Sequence, residues 1–293
     1  MNVTEQIDIE QWSGEVDAAT QQRAIETLER GRVLFFPKLA FTLEATERQF
    51  LSPSCSNGKS KNISFDPHSG AVLGSACNGP QQQALVAMMG RYARQAVGLV
   101  HSLLPQYRSA LEQARTSYRP VAVEGRISSY KKDDRRLHVD AFPSRPTQGR
   151  RILRLFSNVH PADTARLWHI GEPFEAFVAK FLPRVHPPRP GIAWLLERLH
   201  ITQGRRSPYD HIMLMLHDLA KGDEDYQRTA PRAEMAFSPG STWMVYTDRV
   251  LHAALAGQYL FEQTFHLPVS VMQEPDRSPL RLLEAACRRT LVA

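Results

Sequence analysis

The chain has 293 residues, 42% of them hydrophobic, which is enough for a substantial core and excludes disorder as a description of the whole chain. Basic residues outnumber acidic ones by 36 to 30, and the net charge of +6 favours anionic partners without choosing among nucleic acid, phospholipid headgroups and acidic substrates. The three cysteines form no CxxC pair, the N-terminus has no basic and apolar leader, and no run reaches about 18 apolar residues, so we expect a cytoplasmic protein without a membrane span.

The first 120 residues are predicted to form an α-rich layer. Residues 17–30 and 81–104 carry apolar side chains at helical spacing, and the apolar run 32–36 before Pro37 is typical of a buried strand. Residues 52–82 are loop-like and contain Lys59 and Lys61. This loop is either a flap over a site or an excursion on the surface.

From residue 121 the pattern becomes that of strands. Strands are predicted at 121–130, at 137–142, at 151–157, and again at 234–237, 242–246 and 261–265. Between them, residues 162–232 are predicted to form a helical insert with helices at 174–181, 192–203 and 210–221. Short strands separated by turns favour a sandwich or jelly roll, so we predict one α+β domain with its β core in 121–161 and 233–270.

The spacing of His138 and Asp140 points to a metal site. In a strand, side chains two residues apart lie on the same face, so an imidazole and a carboxylate here can reach one point in space. With a second histidine from elsewhere, they would form the set of two histidines and one carboxylate that binds Fe(II) and leaves coordination positions open. His252 is the predicted partner, and His266 is the second choice.

The same residues also have a structural interpretation, in which His138 and Asp140 lie on a solvated strand and bind each other. The sequence contains no Gly-rich phosphate loop, no nucleophile elbow and no HExxH motif, so nucleotide hydrolases, serine hydrolases and zincins lack support. Basic residues alternate with strand turns instead of following a helix, and we therefore expect no nucleic-acid partner.

The order of the motifs resembles the Fe(II)/2-oxoglutarate-dependent dioxygenases. The resemblance rests on 126–130, His138-Val139-Asp140, 149–158, Pro239-Gly240-Ser241 and His252, and it covers about residues 120–270. A closer resemblance, across most of the chain, is to the Kdo (3-deoxy-D-manno-oct-2-ulosonic acid) hydroxylases. It is carried by HVDAFPSRPTQGRRILRLFSNVHP (138–161), SPYDHIMLMLHDLAKGDEDYQ (207–227) and SPGSTWMVYTDRVLHAALAGQYLFEQTFHLP (238–268).

This resemblance implies a cupin-like double-stranded β-helix that binds Fe(II) through His138, Asp140 and His252. It further implies that 2-oxoglutarate and O₂ are consumed, and succinate and CO₂ released, while the Kdo sugar of Kdo-lipid A is hydroxylated at its third carbon. The enzyme would then work at the inner face of the cytoplasmic membrane, as a peripheral protein.

The basic residue that would bind the far carboxylate of 2-oxoglutarate is not at the position that is common in the superfamily. Relatives often place an Arg or Lys about ten residues after the distal histidine, and residues 259–264 contain neither. Arg154, between apolar neighbours on one strand face, is the first candidate and Arg126 the second. Tyr130 and Gln263 are predicted to help by hydrogen bonding.

Two further residues receive predictions of their own. Arg151, on the opposite strand face from Arg154, is expected to be solvated. Asp248 is expected to orient the turn before His252 or to accept a hydrogen bond from a metal-bound histidine.

An ulosonic acid on a phosphorylated lipid is strongly anionic, and basic residues flank the predicted iron ligands. We expect this cluster to attract the substrate, although an ordinary basic surface is the alternative. The residues are Lys131, Lys132, Arg135, Arg136, Arg145 and Arg150.

Two other functions stay open from the residues alone. The same chemistry could act on a protein side chain, a nucleobase or a small metabolite. Alternatively, a non-catalytic basic jelly roll could bind polyanions, with the histidines and the aspartate in structural roles.

Overall fold

A computed structural model describes residues 3–125 and 128–292. The strands are β1 (Thr4–Gln6), β2 (Val33–Phe36), β3 (Ile63–Phe65), β4 (Val72–Leu73), β5 (Glu112–Arg119), β6 (Arg151–Asn158), β7 (Arg166–Gly171), β8 (Arg232–Phe237), β9 (Thr242–Tyr246), β10 (His252–Ala256) and β11 (Leu260–Leu267). The helices are α1 (Ala18–Glu29), α2 (Gly79–Leu103), α3 (Phe174–Phe181), α4 (Ile192–Arg198), α5 (Pro208–Gly222), α6 (Glu224–Thr229) and α7 (Pro279–Cys287).

Two β-sheets make up the jelly-roll core. The large sheet has eight strands in the order β1-β2-β9-β6-β11-β5-β3-β4, and the small sheet has three in the order β10-β7-β8. Large apolar side chains fill part of the space between them, among them Phe156 and Trp243 from the large sheet and Trp168 and Phe237 from the small one. The predicted α+β jelly roll is confirmed.

Helices cover the outer face of the large sheet. Strand β6 alternates strictly, so Leu153 and Leu155 point to α1 and α2 while Arg154 and Phe156 point to the space between the sheets. The predicted helices at 17–30 and 81–104 correspond to α1 and α2, and the predicted strand at 32–36 corresponds to β2. Periodicity located these elements because each has one buried face.

The segment 1–120 also supplies strands β1 to β5, which the α-rich prediction did not include beyond β2. Strand β5 pairs with both β3 and β11, and its polar sequence EQARTSYR hid it from a search for apolar runs. The strand predicted at 121–130 is wrong over its described residues, because 121–125 and 128–129 form loop and turn and Tyr130 begins a short 3-10 helix. Pro120 lacks the amide hydrogen that would continue the ladder.

The insert 162–232 is not wholly helical, because β7 crosses it and pairs with β10 and β8. The helices predicted at 174–181, 192–203 and 210–221 correspond to α3, α4 and α5, with α4 shorter than expected. Strand β7 has the sequence RLWHIG, in which alternate residues Arg166, Trp168 and Ile170 face inward. A period of two over only six residues is a weak signal inside a longer helical stretch.

Arg151 and Asp248 form a buried ion pair beneath the large sheet. The Arg151 Nε lies 2.7 Å from the Asp248 carboxylate, and the guanidinium carbon Cζ lies 3.8 Å from the ring centroid of Tyr246. Arg151 is 0% exposed, so the expectation that it is solvated is wrong, because the helical layer covers that strand face. Asp248 binds this guanidinium, whereas the Nδ1 atoms of His138 and His252 lie within hydrogen-bond distance of backbone carbonyl oxygens.

Asp248→Ala is expected to lower the free energy of unfolding by about 3–5 kcal/mol, because it leaves the buried Arg151 guanidinium without its counter-charge. Urea unfolding measures the loss. Asp225→Ala is the control: it removes the exposed partner of Arg228 and should leave the urea midpoint unchanged. An equal, small effect in both variants would contradict the role of the buried pair.

Candidate active site

Two backbone hydrogen bonds bring the candidate metal ligands together. The His138 amide donates to the His252 carbonyl at 3.1 Å, and the His252 amide donates to the His138 carbonyl at 2.9 Å. The Asp140 amide then donates to the Thr247 carbonyl at 2.8 Å. Although 137–142 forms this isolated bridge and not the predicted strand, its extended backbone still directs His138 and Asp140 to one side.

Three candidate ligand atoms lie within 4.8 Å of one another: a ring nitrogen of His138, a carboxylate oxygen of Asp140 and a ring nitrogen of His252. The Nδ1 atoms of the two histidines lie 2.7 Å and 2.9 Å from the carbonyl oxygens of Arg136 and Val250. A histidine that donates through Nδ1 keeps its Nε2 lone pair for a metal. This donor set therefore fits a divalent transition-metal ion.

Burial and charge keep all three groups in the state that binds a metal. Burial lowers the pKa of His138 well below its usual value of 6.5, and burial also lowers the pKa of His252. Burial alone would raise the pKa of Asp140, but the Arg154 guanidinium, 3.1 Å away, more than offsets it and lowers that pKa. At neutral pH the site therefore presents two neutral imidazoles and one carboxylate.

Aromatic packing holds the His252 ring in place. The Trp168 indole stacks on it with the ring centroids 5.2 Å apart and the planes at 23°. Trp168 comes from β7, the strand that pairs with the first residues of β10. The small sheet therefore supplies both the backbone pairing and the packing that orient this histidine.

The three candidate ligands line a cavity of about 1250 Å³ between the sheets. Its charged walls are mostly basic. Ten Lys and Arg residues line it against four carboxylates, and these ten are Lys59, Lys61, Arg115, Arg119, Lys131, Lys132, Arg145, Arg154, Arg166 and Lys221. A large anionic molecule would fit this excess of positive charge.

A chain of buried charges runs from the candidate metal ligands along the cavity wall. Arg154 contacts Asp140 and donates through Nη1 to Glu262 at 2.9 Å. Arg119 contacts the other oxygen of Glu262 and also Asp134, 3.2 Å away. Burial would raise the pKa of Glu262, but Arg154 and Arg119 lower it, so this carboxylate is ionised.

The Arg166 guanidinium is buried, and two of its nitrogen donors make no hydrogen bond. Its Nη1 donates to the Gly257 carbonyl at 2.9 Å, while Nε and Nη2 are buried and have no hydrogen-bond partner. Burial and then the nearby Arg119 lower the pKa of Arg166 to about 9, so it is still charged at pH 7. A buried guanidinium with two unused donors is costly unless an anion binds it.

The predicted cosubstrate residues fall in different places. Arg154 lines the cavity, as expected from its strand face. Gln263 points to the opposite side of β11, where it accepts a 2.6 Å hydrogen bond from Thr116, and Glu262 occupies the cavity face instead. Tyr130 is 43% exposed on a short turn and does not line the cavity, and Arg126 lies outside the described residues.

Of the four arginines predicted to bind substrate, only Arg145 lines the cavity. The other three are engaged elsewhere: Arg135 with Asp133, Arg136 with Glu224, and Arg150 with Glu112. Lys131 and Lys132 from the same basic cluster do line it. The sign of the charge was predicted correctly, but a run of basic residues does not reveal which of them point inward.

Other lining residues were missed. Arg119 ends the overlooked strand β5, Arg166 begins β7, and Lys221 ends α5. The inward alternation of Arg166 with Trp168 was the one local signal available. The 52–82 loop reaches the cavity with Lys59 and Lys61, which favours its interpretation as part of a site.

Two other histidines that line the cavity have local partners. His266 also lines the cavity, but it is not part of the three-residue cluster found among the described residues. Burial lowers the pKa of His266 to about 4, and its Nδ1 lies 3.4 Å from the Arg151 carbonyl. His217 contacts Asp218 at 2.9 Å and packs edge-on against the His138 ring.

Two histidines and one carboxylate at a cavity between the sheets of a jelly roll define a site of the non-haem iron dioxygenase class. A family model described as 3-deoxy-D-manno-oct-2-ulosonic acid (Kdo) hydroxylase matches residues 11–290. The chain therefore belongs to the Kdo hydroxylase family.

Crystal structures of the Kdo hydroxylase KdoO, a non-haem Fe(II) alphaketoglutarate-dependent dioxygenase, have the same fold. The complex with alphaketoglutarate and Fe(III) has a TM-score of 0.95 at 48% identity, covering 99% of this chain and 97% of that one. The cobalt(II) complex has a TM-score of 0.97 at 49% identity, covering 99% and 98%. The complex with succinate and Fe(III) has a TM-score of 0.96 at 48% identity, covering 99% and 98%. No curated protein matches the chain.

Proposed function

We propose that this protein is an Fe(II)- and 2-oxoglutarate-dependent dioxygenase that hydroxylates the Kdo sugar of Kdo-lipid A at its third carbon. The observation that carries the proposal is the similarity to KdoO, at 48% identity over 99% of the chain. The cluster of His138, Asp140 and His252 in a basic cavity supplies independent physical support. Neither another substrate class nor a non-catalytic module gains support from these observations.

His138, Asp140 and His252 would hold the iron, which leaves coordination positions open for 2-oxoglutarate and O₂. When bound, iron supplies the oxidising chemistry that couples release of succinate and CO₂ to hydroxylation of a carbon. The protein's own residues orient the metal ligands and exclude water from the site. The carbonyl groups of Arg136 and Val250 fix the ligand rings, and Trp168 keeps one side of His252 away from water.

Two arginines are placed for the two carboxylates of 2-oxoglutarate. Arg154 contacts Asp140 and so lies beside the proposed metal position, where it suits the carboxylate nearest the iron. Arg166 lies two residues from Trp168 on the same strand face, farther along the wall, and its free Nε and Nη2 suit the far carboxylate. Arg119 and Glu262 would keep the Arg154 guanidinium in position.

The basic rim would bind the anionic sugar and its phosphorylated lipid. Lys59 and Arg145 line the cavity from loops, and Lys131 and Lys132 line it from a short 3-10 helix. This arrangement is expected for recognising a large anion. None of the described helices is both long and apolar enough to cross a bilayer. The proposed place of reaction is the cytoplasmic face of the membrane that holds the lipid-linked substrate.

The function is tested by incubating the iron-loaded protein with Kdo-lipid A, 2-oxoglutarate and O₂. Succinate should form in step with a product heavier by one oxygen atom, as measured by mass spectrometry. Succinate formation that is independent of this lipid, with no gain of oxygen, would point to another substrate. Absence of metal-dependent succinate under any condition would exclude the enzyme class.

His252→Ala is expected to weaken Co(II) binding by at least about 100-fold, because one of three protein ligands is lost. Titration followed by visible absorption measures the affinity without any turnover. His266→Ala is the matched control, since this residue lines the same cavity outside the cluster. If His266→Ala weakens binding as much as His252→Ala, the proposed ligand set is incorrect.

Arg154→Ala and Arg166→Met are each expected to raise the 2-oxoglutarate concentration for half-maximal turnover by about tenfold or more, because a charge-assisted hydrogen bond is removed. Arg145→Ala, at the exposed rim, should leave that concentration unchanged. Initial rates of succinate release at varied 2-oxoglutarate measure it. An arginine whose replacement has no effect does not bind the cosubstrate.

A further inference from the structure

Exposed apolar side chains are concentrated in one short stretch around α4. Among the described residues, eight large hydrophobic side chains are exposed, and five of them fall within residues 192–201. These five are Ile192 (38% exposed), Trp194 (56%), Leu195 (43%), Leu199 (58%) and Ile201 (54%). A folded protein leaves such a patch uncovered at a cost in solubility, so it marks an interaction site.

The charge around this patch is strongly positive. Residues 184–206 contain five arginines and a single acidic residue, Glu197. Arg184 pairs with Asp223, whereas Arg189, Arg198 and Arg205 make no ion pair within 3–125 and 128–292. Exposed apolar side chains among unpaired arginines are typical of surfaces that bind the interfacial region of an anionic bilayer.

A groove of about 520 Å³ lies next to the exposed helix. Arg189, Arg205 and His211 line it together with the apolar side chains of Ile192 and Trp194. A lipid phosphate could bind the two guanidinium groups here while the indole ring occupies the headgroup region, where tryptophan is enriched.

The patch adjoins the mouth of the active-site cavity. The amide of Gln203 donates to the Ser144 carbonyl at 2.8 Å, and the Arg206 side chain donates to the Pro143 carbonyl. Pro143 and Arg145, on either side of Ser144, line the cavity. A membrane in contact with α4 would therefore lie beside the opening through which a lipid-linked substrate enters.

We propose that residues 188–206, comprising α4 and its arginine-rich flanks and hereafter called the α4 patch, dock the protein onto the surface of an anionic phospholipid bilayer. Trp194, Leu195 and Leu199 enter the headgroup region, and Arg189, Arg198 and Arg205 bind lipid phosphates. The benefit of docking rests on the proposed function, because it brings the cavity mouth to a lipid-linked substrate. Docking itself requires no turnover and is measured separately.

The experiment is sedimentation of the full, iron-loaded chain with vesicles of phosphatidylcholine alone or with about 30% phosphatidylglycerol. Binding should be at least about tenfold tighter to the anionic vesicles. The double variant Trp194→Ser/Leu195→Ser should lower binding to them by about tenfold or more, because two exposed apolar side chains no longer enter the interface. The charge variant Arg198→Glu should lower it as well, and more strongly at low salt.

Matched controls lie elsewhere on the surface. Leu73→Ser alters a side chain that is 59% exposed on β4, and Arg48→Glu reverses an exposed charge with no ion pair in the described chain. Both should bind vesicles like the parent protein. Trp194 is the most exposed of the four tryptophans, so its emission should shift to shorter wavelength when anionic vesicles are added.

Turnover provides a second measurement. The α4-patch variants should slow hydroxylation of vesicle-embedded Kdo-lipid A while leaving that of a water-soluble Kdo fragment unchanged, since these residues do not line the active-site cavity. Equal binding to neutral and anionic vesicles, or full binding by the double variant, would overturn the docking proposal. A dimer that the double variant converts to a monomer would also overturn it, because a second copy of the chain would then cover the patch.

Vesicle binding without any hydroxylation would count against the proposed function and would leave the docking proposal supported.

Discussion

The site depends on one short pairing, between the backbone of His138 and the backbone of His252. Two hydrogen bonds join His138 and His252, which are far apart in the chain. This contact brings the two candidate histidine ligands to the same site. Each ring is then held by its own carbonyl acceptor, so little freedom is left to the imidazoles. Preorganised ligands of this kind lose little conformational entropy when a metal binds.

Buried charge is the second organising feature of the molecule. Asp140, Arg154, Glu262, Arg119 and Asp134 form a continuous alternation of acid and base along the cavity wall. Each member compensates the desolvation of its neighbours, which lets ionised groups remain in a buried place. Arg166 lies beside this chain with two donors unused, and its surplus charge supports the proposal that the cavity binds an anionic cosubstrate.

Periodicity predicted those elements that bury one face against a layer. Helices α1, α2, α3 and α5 and strands β2, β6, β9 and β11 were located within a few residues. Strand β5 was missed because it is polar, and β7 because six alternating residues lie within a longer stretch of helical character. Gln263 was assigned to the site although Glu262 faces it, since a shift of one residue exchanges the two faces of a strand.

The sequence by itself determined the fold class, the family resemblance, the candidate ligand set of His138, Asp140 and His252, and the positive sign of the charge near them. These follow from local spacing, ordered motifs and composition, which need no tertiary contact. Only the tertiary structure decided that Arg166 and Arg119 reach the cavity, that Arg135, Arg136 and Arg150 are engaged elsewhere, and that α4 leaves its apolar side chains exposed. The reason is physical: the direction and partner of a long charged side chain depend on what the rest of the fold places within its reach.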